Sequence, residues 1–226
     1  SDTSFESIPS EIQKLKNLKE LHFIGKTGHY IEFDGFDGIS RLERLEVLKI
    51  NHLYLRTVPK DTEKLPHLRE LYLRNAHIAK LPENIGDLSN LEVLDLSEND
   101  LLEFPESFGK LKKLKKLYLR DFGTAEVLPL SFEYLEDLTL NGKNLDYKEV
   151  LSDISKLRNL KKLTIIELRN DKPFHLPKEF ADLDNLEELC LYHSEGMKDL
   201  TELFDIISKL KNLTRLDMTF YEWGLK

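Results

Sequence analysis

Cys190 is the single cysteine of this 226-residue chain, and beside a base or a cation it would be a nucleophile. A thiol needs such a neighbour to become a thiolate at neutral pH. His193 follows three residues later, across what reads as a strand end, so its ring is not expected to meet that sulfur. The seven histidines are His22, His29, His52, His67, His77, His175 and His193. No two stand at i, i+4 on a helix, and none neighbours the cysteine at zinc spacing, so each reads as a surface histidine. Asp34-Gly35-Phe36-Asp37-Gly38 lacks the alternating oxygens and closing glutamate of a calcium loop and reads as a turn. Asn212-Leu213-Thr214 matches a glycosylation acceptor, yet Leu213 is expected in the core. There is no phosphate-binding glycine loop and no nucleophile signature. The expectation is therefore no enzyme, no metal and no cofactor, with a site assembled across distant segments as the one arrangement a linear reading leaves open.

Tyrosine and arginine suggest a different chemistry, that of contact. Tyr72, Arg74, Asn75, Tyr118 and Arg120 bracket Asp95 and Glu98. Tyrosine and arginine concentrate at binding hot spots because they join large contact area to directional hydrogen bonds. A second group is Ile166, Cys190, Tyr192, His193 and Phe220, where apolar side chains on a presented face would mark an interaction patch. Each group has a plainer reading. The first would be a solvated face with weak Arg–Asp pairs. The second would be a surface covered by a cap or a further repeat.

What would position these side chains is a repeat. The pattern L-x-x-L-x-L returns nine times, starting at Leu18, Leu45, Leu68, Leu91, Leu114, Leu135, Leu160, Leu186 and Leu213. The intervals are 27, 23, 23, 23, 21, 25, 26 and 27 residues, a period that defines a solenoid. Leu94 and Leu96 are two apart, so in a strand both face inward and their neighbours face out. The outward rows are then His22, Lys49, Tyr72, Asp95, Tyr118, Thr139, Thr164, Cys190 and Asp217, followed by Ile24, Asn51, Arg74, Ser97, Arg120, Asn141, Ile166, Tyr192 and Thr219. A third row includes His52, Asn75, Glu98, Asp121, Glu167, His193 and Phe220.

Between strands the chain must return. Pro9, Pro59, Pro82, Pro105, Pro129 and Pro177 open six return segments, and a proline suits the first position of a helical turn. Their short length predicts 3₁₀ turns or coil. Two returns differ. Asp146 to Leu157 carries Val150, Leu151, Ile154 and Leu157, and Asp199 to Leu210 carries Leu203, Phe204, Ile207 and Leu210. Both have helical spacing and an Asp followed three residues later by Glu, which predicts α-helices on the outer side.

A formal net charge of -8 argues against a nucleic-acid partner, and no apolar run is long enough for membrane insertion. A lone cysteine excludes an internal disulfide, which leans toward a reducing, cytoplasmic setting or a bacterial one, secreted or cell-surface after signal removal included.

At the copies Leu81-Pro82-Glu83-Asn84-Ile85-Gly86 and Phe104-Pro105-Glu106-Ser107-Phe108-Gly109, the chain resembles the leucine-rich-repeat superfamily, 23-residue type, as found in bacterial and in intracellular eukaryotic and plant proteins. The resemblance runs from about Ile8 to Met218. It implies an α/β fold, a leucine-rich-repeat solenoid spanning 1–226 as a single domain of about nine repeats. It further implies an arc that binds a protein or peptide on its concave face. As an alternative, the arc would be a targeting or regulatory segment of a larger enzyme or bacterial effector. The consensus asparagine after the strand stands only at Asn99. Lys26, Leu53, Ala76, Phe122, Lys143, Leu168, Ser194 and Tyr221 occupy the matching positions, so apolar packing is expected to replace its hydrogen bonds. The segments Gly25 to Gly38 and Leu128 to Leu135 depart in length. The ends show no polar cap, which leaves dimerisation through an uncapped end as a further expectation.

Overall fold

The computed structural model describes residues 7–25, 38–124, 126–141, 145, 147–166, 175–193 and 200–220. These residues contain one sheet of nine parallel strands in chain order. The strands are β1 (Glu20–Ile24), β2 (Val47–Asn51), β3 (Glu70–Tyr72), β4 (Val93–Asp95), β5 (Lys116–Arg120), β6 (Asp137–Asn141), β7 (Lys162–Ile166), β8 (Glu188–His193) and β9 (Arg215–Phe220). Every strand pairs only with its sequence neighbours, because each repeat crosses back on the same side before laying down the next strand.

Register follows the leucines. Leu48, Leu71, Leu94, Leu117, Leu138, Leu163 and Leu189 stand opposite one another across successive strands and are sealed from solvent. Leu73, Leu96, Leu119 and Leu140 are sealed as well, so Leu94 and Leu96 project to the same side as their spacing predicts. Each buried leucine contributes about 2 kcal/mol over an exposed one. Leu216, the same position in β9, is 37% exposed, β9 being the last strand among the described residues.

The return segments form the other layer. Short 3₁₀ turns cover Ser10–Lys14, Ile39–Arg41, Thr62–Lys64, Ile85–Asp87, Glu106–Lys110 and Lys178–Asp182. Proline acts one step earlier than the sequence suggested. Pro9, Pro105 and Pro177 precede the turn in an extended conformation, with φ from -56 to -68 and ψ from 139 to 152, rather than occupying its first position. Their carbonyls, with those of Pro59 and Pro82, each accept the N–H three residues on at 2.9–3.2 Å. The ring's φ thus aims a carbonyl that starts the turn. After Pro129 the chain makes no helical turn, in keeping with the short interval there.

Helices α1 (Tyr147–Ile154) and α2 (Leu200–Ile207) lie where predicted, and the aspartates expected to cap them fall outside the described residues. The face of α2 is corrected. Leu203, Ile206, Ile207 and Leu210 are buried while Phe204 is 46% exposed. Positions 203, 206, 207 and 210 make one i, i+3, i+4, i+7 stripe, and Phe204 falls to its side.

Apolar packing does replace the consensus asparagine at Leu53, Ala76 and Phe122, all buried. At Phe122 the substitution builds an aromatic spine: Phe104 lies 5.7 Å from Phe122 and 4.7 Å from Phe108, which meets Phe132 edge-on at 5.5 Å. Gly123 follows at φ 124 and pairs with Leu101 so closely that a side chain would overlap the Leu101 backbone. A second asparagine ladder takes over at the strand entrance. Asn90, Asn159, Asn185 and Asn212, each directly before a repeat's first leucine, donate to the carbonyls of Pro66, Glu133, Arg158 and Asp184 at 2.6–2.8 Å. Leu213 is only partly buried and Asn212 is exposed, contrary to the expectation of a core site at the glycosylation-like tripeptide.

The residue after each first leucine alternates in sign along the stack: Lys19, Glu46, Arg69, Glu92, Lys115, Glu136, Lys161, Glu187. Neighbours pair at 2.7–2.9 Å, with Glu92 held between Lys115 and Arg69. Lys115 beside it, then Arg69, holds the Glu92 carboxyl below the usual carboxylate range. Exposed pairs are individually weak, and the alternation keeps like charges from meeting on adjacent repeats.

Candidate functional site

Strand alternation exposes one face of the sheet, and four rows of side chains cross it. The first row, at the opening residue of each strand, was missed in the sequence reading. It comprises Glu20, Val47, Glu70, Val93, Lys116, Asp137, Lys162, Glu188 and Arg215. Its signal was available, since each member lies two residues before one in the next row.

This row anchors the tyrosines. The Tyr72 hydroxyl donates to Glu70 Oε2 at 2.8 Å, and the Tyr118 hydroxyl donates to Asp137 Oδ2 at 2.9 Å. Lys49 Nζ lies 4.7 Å from the Tyr72 ring centroid, a cation–π contact. Asp95 stands between the tyrosines in the register Tyr72, Asp95, Tyr118. Its Oδ1 accepts the Ser97 N–H at 2.9 Å.

Arg74 pairs with Glu98, and its backbone N–H is held by Asn51 Oδ1 at 3.0 Å. The Arg74 Nε is buried with no hydrogen-bond partner. Asn75 Nδ2 meets His52 Nδ1 at 3.1 Å. Arg120 is exposed, with its backbone N–H on Ser97 Oγ at 3.3 Å. His52, Asn75, Glu98 and Asp121 all have left-handed φ, between 46 and 58. This bends the chain out of four successive strands at the same level, and asparagine and aspartate bear that conformation best. The structure thus brings Tyr72, Arg74, Asn75, Asp95, Glu98, Tyr118 and Arg120 onto three adjacent strands and their exits.

The second group is looser. Ile166, Tyr192 and Thr219 are register partners across β7, β8 and β9, and His193 and Phe220 are paired backbone positions. The Tyr192 hydroxyl donates to Asp217 Oδ2 at 3.1 Å. Several residues expected to be presented are buried: Ser97, Thr139, Asn141, Thr164 and Cys190. They are short side chains flanked on the same face by longer ones such as Tyr118, Lys162, Glu188 and Tyr192. Cys190 is only 4% exposed, so it leaves the candidate contact patch. Among the described residues no group of three His, Cys, Asp or Glu side chains is placed to hold a metal. No helix there is long and apolar enough to cross a membrane.

Burial, then the Glu70 hydrogen bond, pushes the Tyr72 phenol up to about 12, and burial with Asp137 pushes Tyr118 further in the same direction. A raised folded-state value means that stability is fully present below the unfolded phenol's range, about 10. It is lost as pH climbs toward the folded value. Unfolding followed across that window should show stability falling between about pH 10 and 12, and the fall should shrink in Tyr72→Phe. An equal fall in Tyr72→Phe would show that this phenol is not the titrating group.

Regular in-register strands, leucines stacked one per repeat and 3₁₀ returns opened by proline define a leucine-rich-repeat solenoid. Residues 39–172 match the family model described as a leucine-rich repeat region, and the chain belongs to the leucine-rich-repeat family. It is similar in structure to a leucine-rich-repeat protein of Leptospira interrogans, with 27% identity and a TM-score of 0.76, over 99% of this chain and 55% of that one. A plant peptide hormone receptor, solved in a complex, shares the fold at 21% identity and a TM-score of 0.51, over 94% of this chain and 41% of that one. The chain therefore spans about half or less of the length of these solved proteins. No curated protein matches its sequence.

Proposed function

We propose that the chain is a non-enzymatic protein–protein interaction module that binds a protein or peptide partner on the concave face of its sheet. The observation that carries this reading is the regular presentation of Tyr72, Asp95 and Tyr118 from three neighbouring strands, with Arg74 and Arg120 one row above. The tyrosines are half-buried and held by carboxylates, so little side-chain entropy remains to be lost on contact. A peptide hormone receptor with the same fold supports the choice of partner class. Ile166, Tyr192, His193 and Phe220 would extend the contact toward the last strands.

A second reading keeps this surface and makes the arc a targeting or regulatory segment of a larger enzyme or effector. Its support is the 55% share of the Leptospira protein that this chain covers.

Crosslinking the purified chain in its native extract should trap one specific protein. Replacing Tyr72 and Tyr118 with alanine should remove that product while far-ultraviolet dichroism stays unchanged. Tyrosine hot spots cost about 2 kcal/mol or more each on truncation, so the double variant should lose binding by two orders of magnitude or more. Undiminished crosslinking would move the site elsewhere.

A further inference from the structure

Glu70, Asp95 and Asp137 differ from the other carboxylates of their neighbourhood. Glu46, Glu92 and Glu136, one position earlier in the adjoining row, each pair with a lysine or an arginine. Among the described residues Glu70, Asp95 and Asp137 make no ion pair. Lys116 stands opposite Asp137 in the register, is exposed and does not pair with it. Two of the three charges are met only by neutral tyrosine hydroxyls. Asp137 Oδ1 is buried and accepts nothing, a costly state for a carboxylate oxygen.

The third carries no tyrosine hydroxyl. Tyr72 and Tyr118 sit on either side of Asp95, two strand spacings or about 9–10 Å apart along the row. The Tyr72 hydroxyl is drawn along its own strand to Glu70, and the Tyr118 hydroxyl is drawn across to Asp137 on β6. Neither caps Asp95, whose Oδ2 makes no hydrogen bond or ion pair among the described residues, although the Arg74 guanidinium, bonded to Glu98, lies within electrostatic reach of its charge. Lys49 already rests on the Tyr72 ring, so a cation on this aromatic wall is compatible with the local field. Both phenols are raised in part by the charge on Asp95, which places that charge within reach of both.

We propose that Asp95, between Tyr72 and Tyr118 on the presented face, receives one basic side chain, arginine or lysine, from an extended peptide partner. The guanidinium or ammonium group would meet Asp95 Oδ2, and its stem would lie between the two rings. The inference rests on the reading of this face as a peptide-binding surface. The chain's net charge of -8 would speed the encounter with such a partner.

A displayed library of random peptides, selected on the purified full chain, tests it. Selected peptides should share one arginine or lysine. Replacing that residue with citrulline or norleucine should weaken binding to the native chain about tenfold or more, and should change little in Asp95→Asn. The asparagine retains an acceptor for the Ser97 N–H, so Asp95→Asn should fold normally. Two results overturn the inference alone: selected peptides that need Tyr72 and Tyr118 but share no basic residue, or a neutral replacement that costs the same in both proteins. Peptides that bind equally well when both tyrosines are alanine, or a library in which nothing is enriched, would overturn the peptide-binding reading as well.

Discussion

Replacing Asn99 with alanine is expected to destabilise the solenoid by about 3–5 kcal/mol, more than any other single polar substitution. Its side chain is 4% exposed and works in two directions. Oδ1 accepts the N–H groups of Ala76 and Ile78 at 3.1 and 3.0 Å, and Nδ2 donates to the carbonyls of Leu73 and Leu96 at 2.8 Å each. Alanine would leave four buried backbone groups unsatisfied, each costing about 1–3 kcal/mol, with partial relaxation trimming the sum. Asn99→Asp should fare no better, because it keeps acceptors but aims charge at two carbonyl oxygens. Urea unfolding measures the loss. Since each repeat rests only on its neighbours, hydrogen exchange should quicken first from Leu73 to Leu101. A loss below about 1 kcal/mol would mean that water replaces the amide and that this hub is dispensable.

Phe108→Ala should cost a similar amount, about 3–5 kcal/mol. Phe108 is fully buried between Phe104 and Phe132, at 4.7 and 5.5 Å between ring centres. It fills the layer where the return segment after Pro129 has no 3₁₀ helix of its own. Phe204→Ala makes the contrast, because that ring is 46% exposed and its removal should cost under about 1 kcal/mol. Comparable losses for the two variants in chemical denaturation would refute the assignment of the aromatic spine as core.

The repeat count, strand positions and inward leucines were legible because burial at a period of two leaves its mark on residue type. Both helices were legible for the same reason at a period of 3.6, although Phe204 was misassigned. An apolar residue beside a stripe has the same letter as one within it, and only packing separates them. The expected loss of the asparagine ladder was half of the matter. Asparagines did disappear after the strands, and others, directly before the leucines at Asn90, Asn159, Asn185 and Asn212, took up carbonyls of the preceding repeat. The contact surface was the least legible part. Thr164 and Cys190 alternate outward like Tyr118 but are overshadowed by longer neighbours. Asp137 escaped notice because its partner Tyr118 lies on the neighbouring strand, whereas Glu70 stands two residues before Tyr72 on the same strand and was legible.

By itself the sequence determined a leucine-rich-repeat stack with one presented face, because leucines two residues apart must share a side and no single repeat can bury its own. What only the tertiary structure decided is which presented residues act together. Side-chain reach between strands about 4.8 Å apart depends on register, and register joins residues some twenty positions distant. That is why Tyr118 finds Asp137 and why Asp95 is placed between the two tyrosines, while Tyr72 takes Glu70 from its own strand.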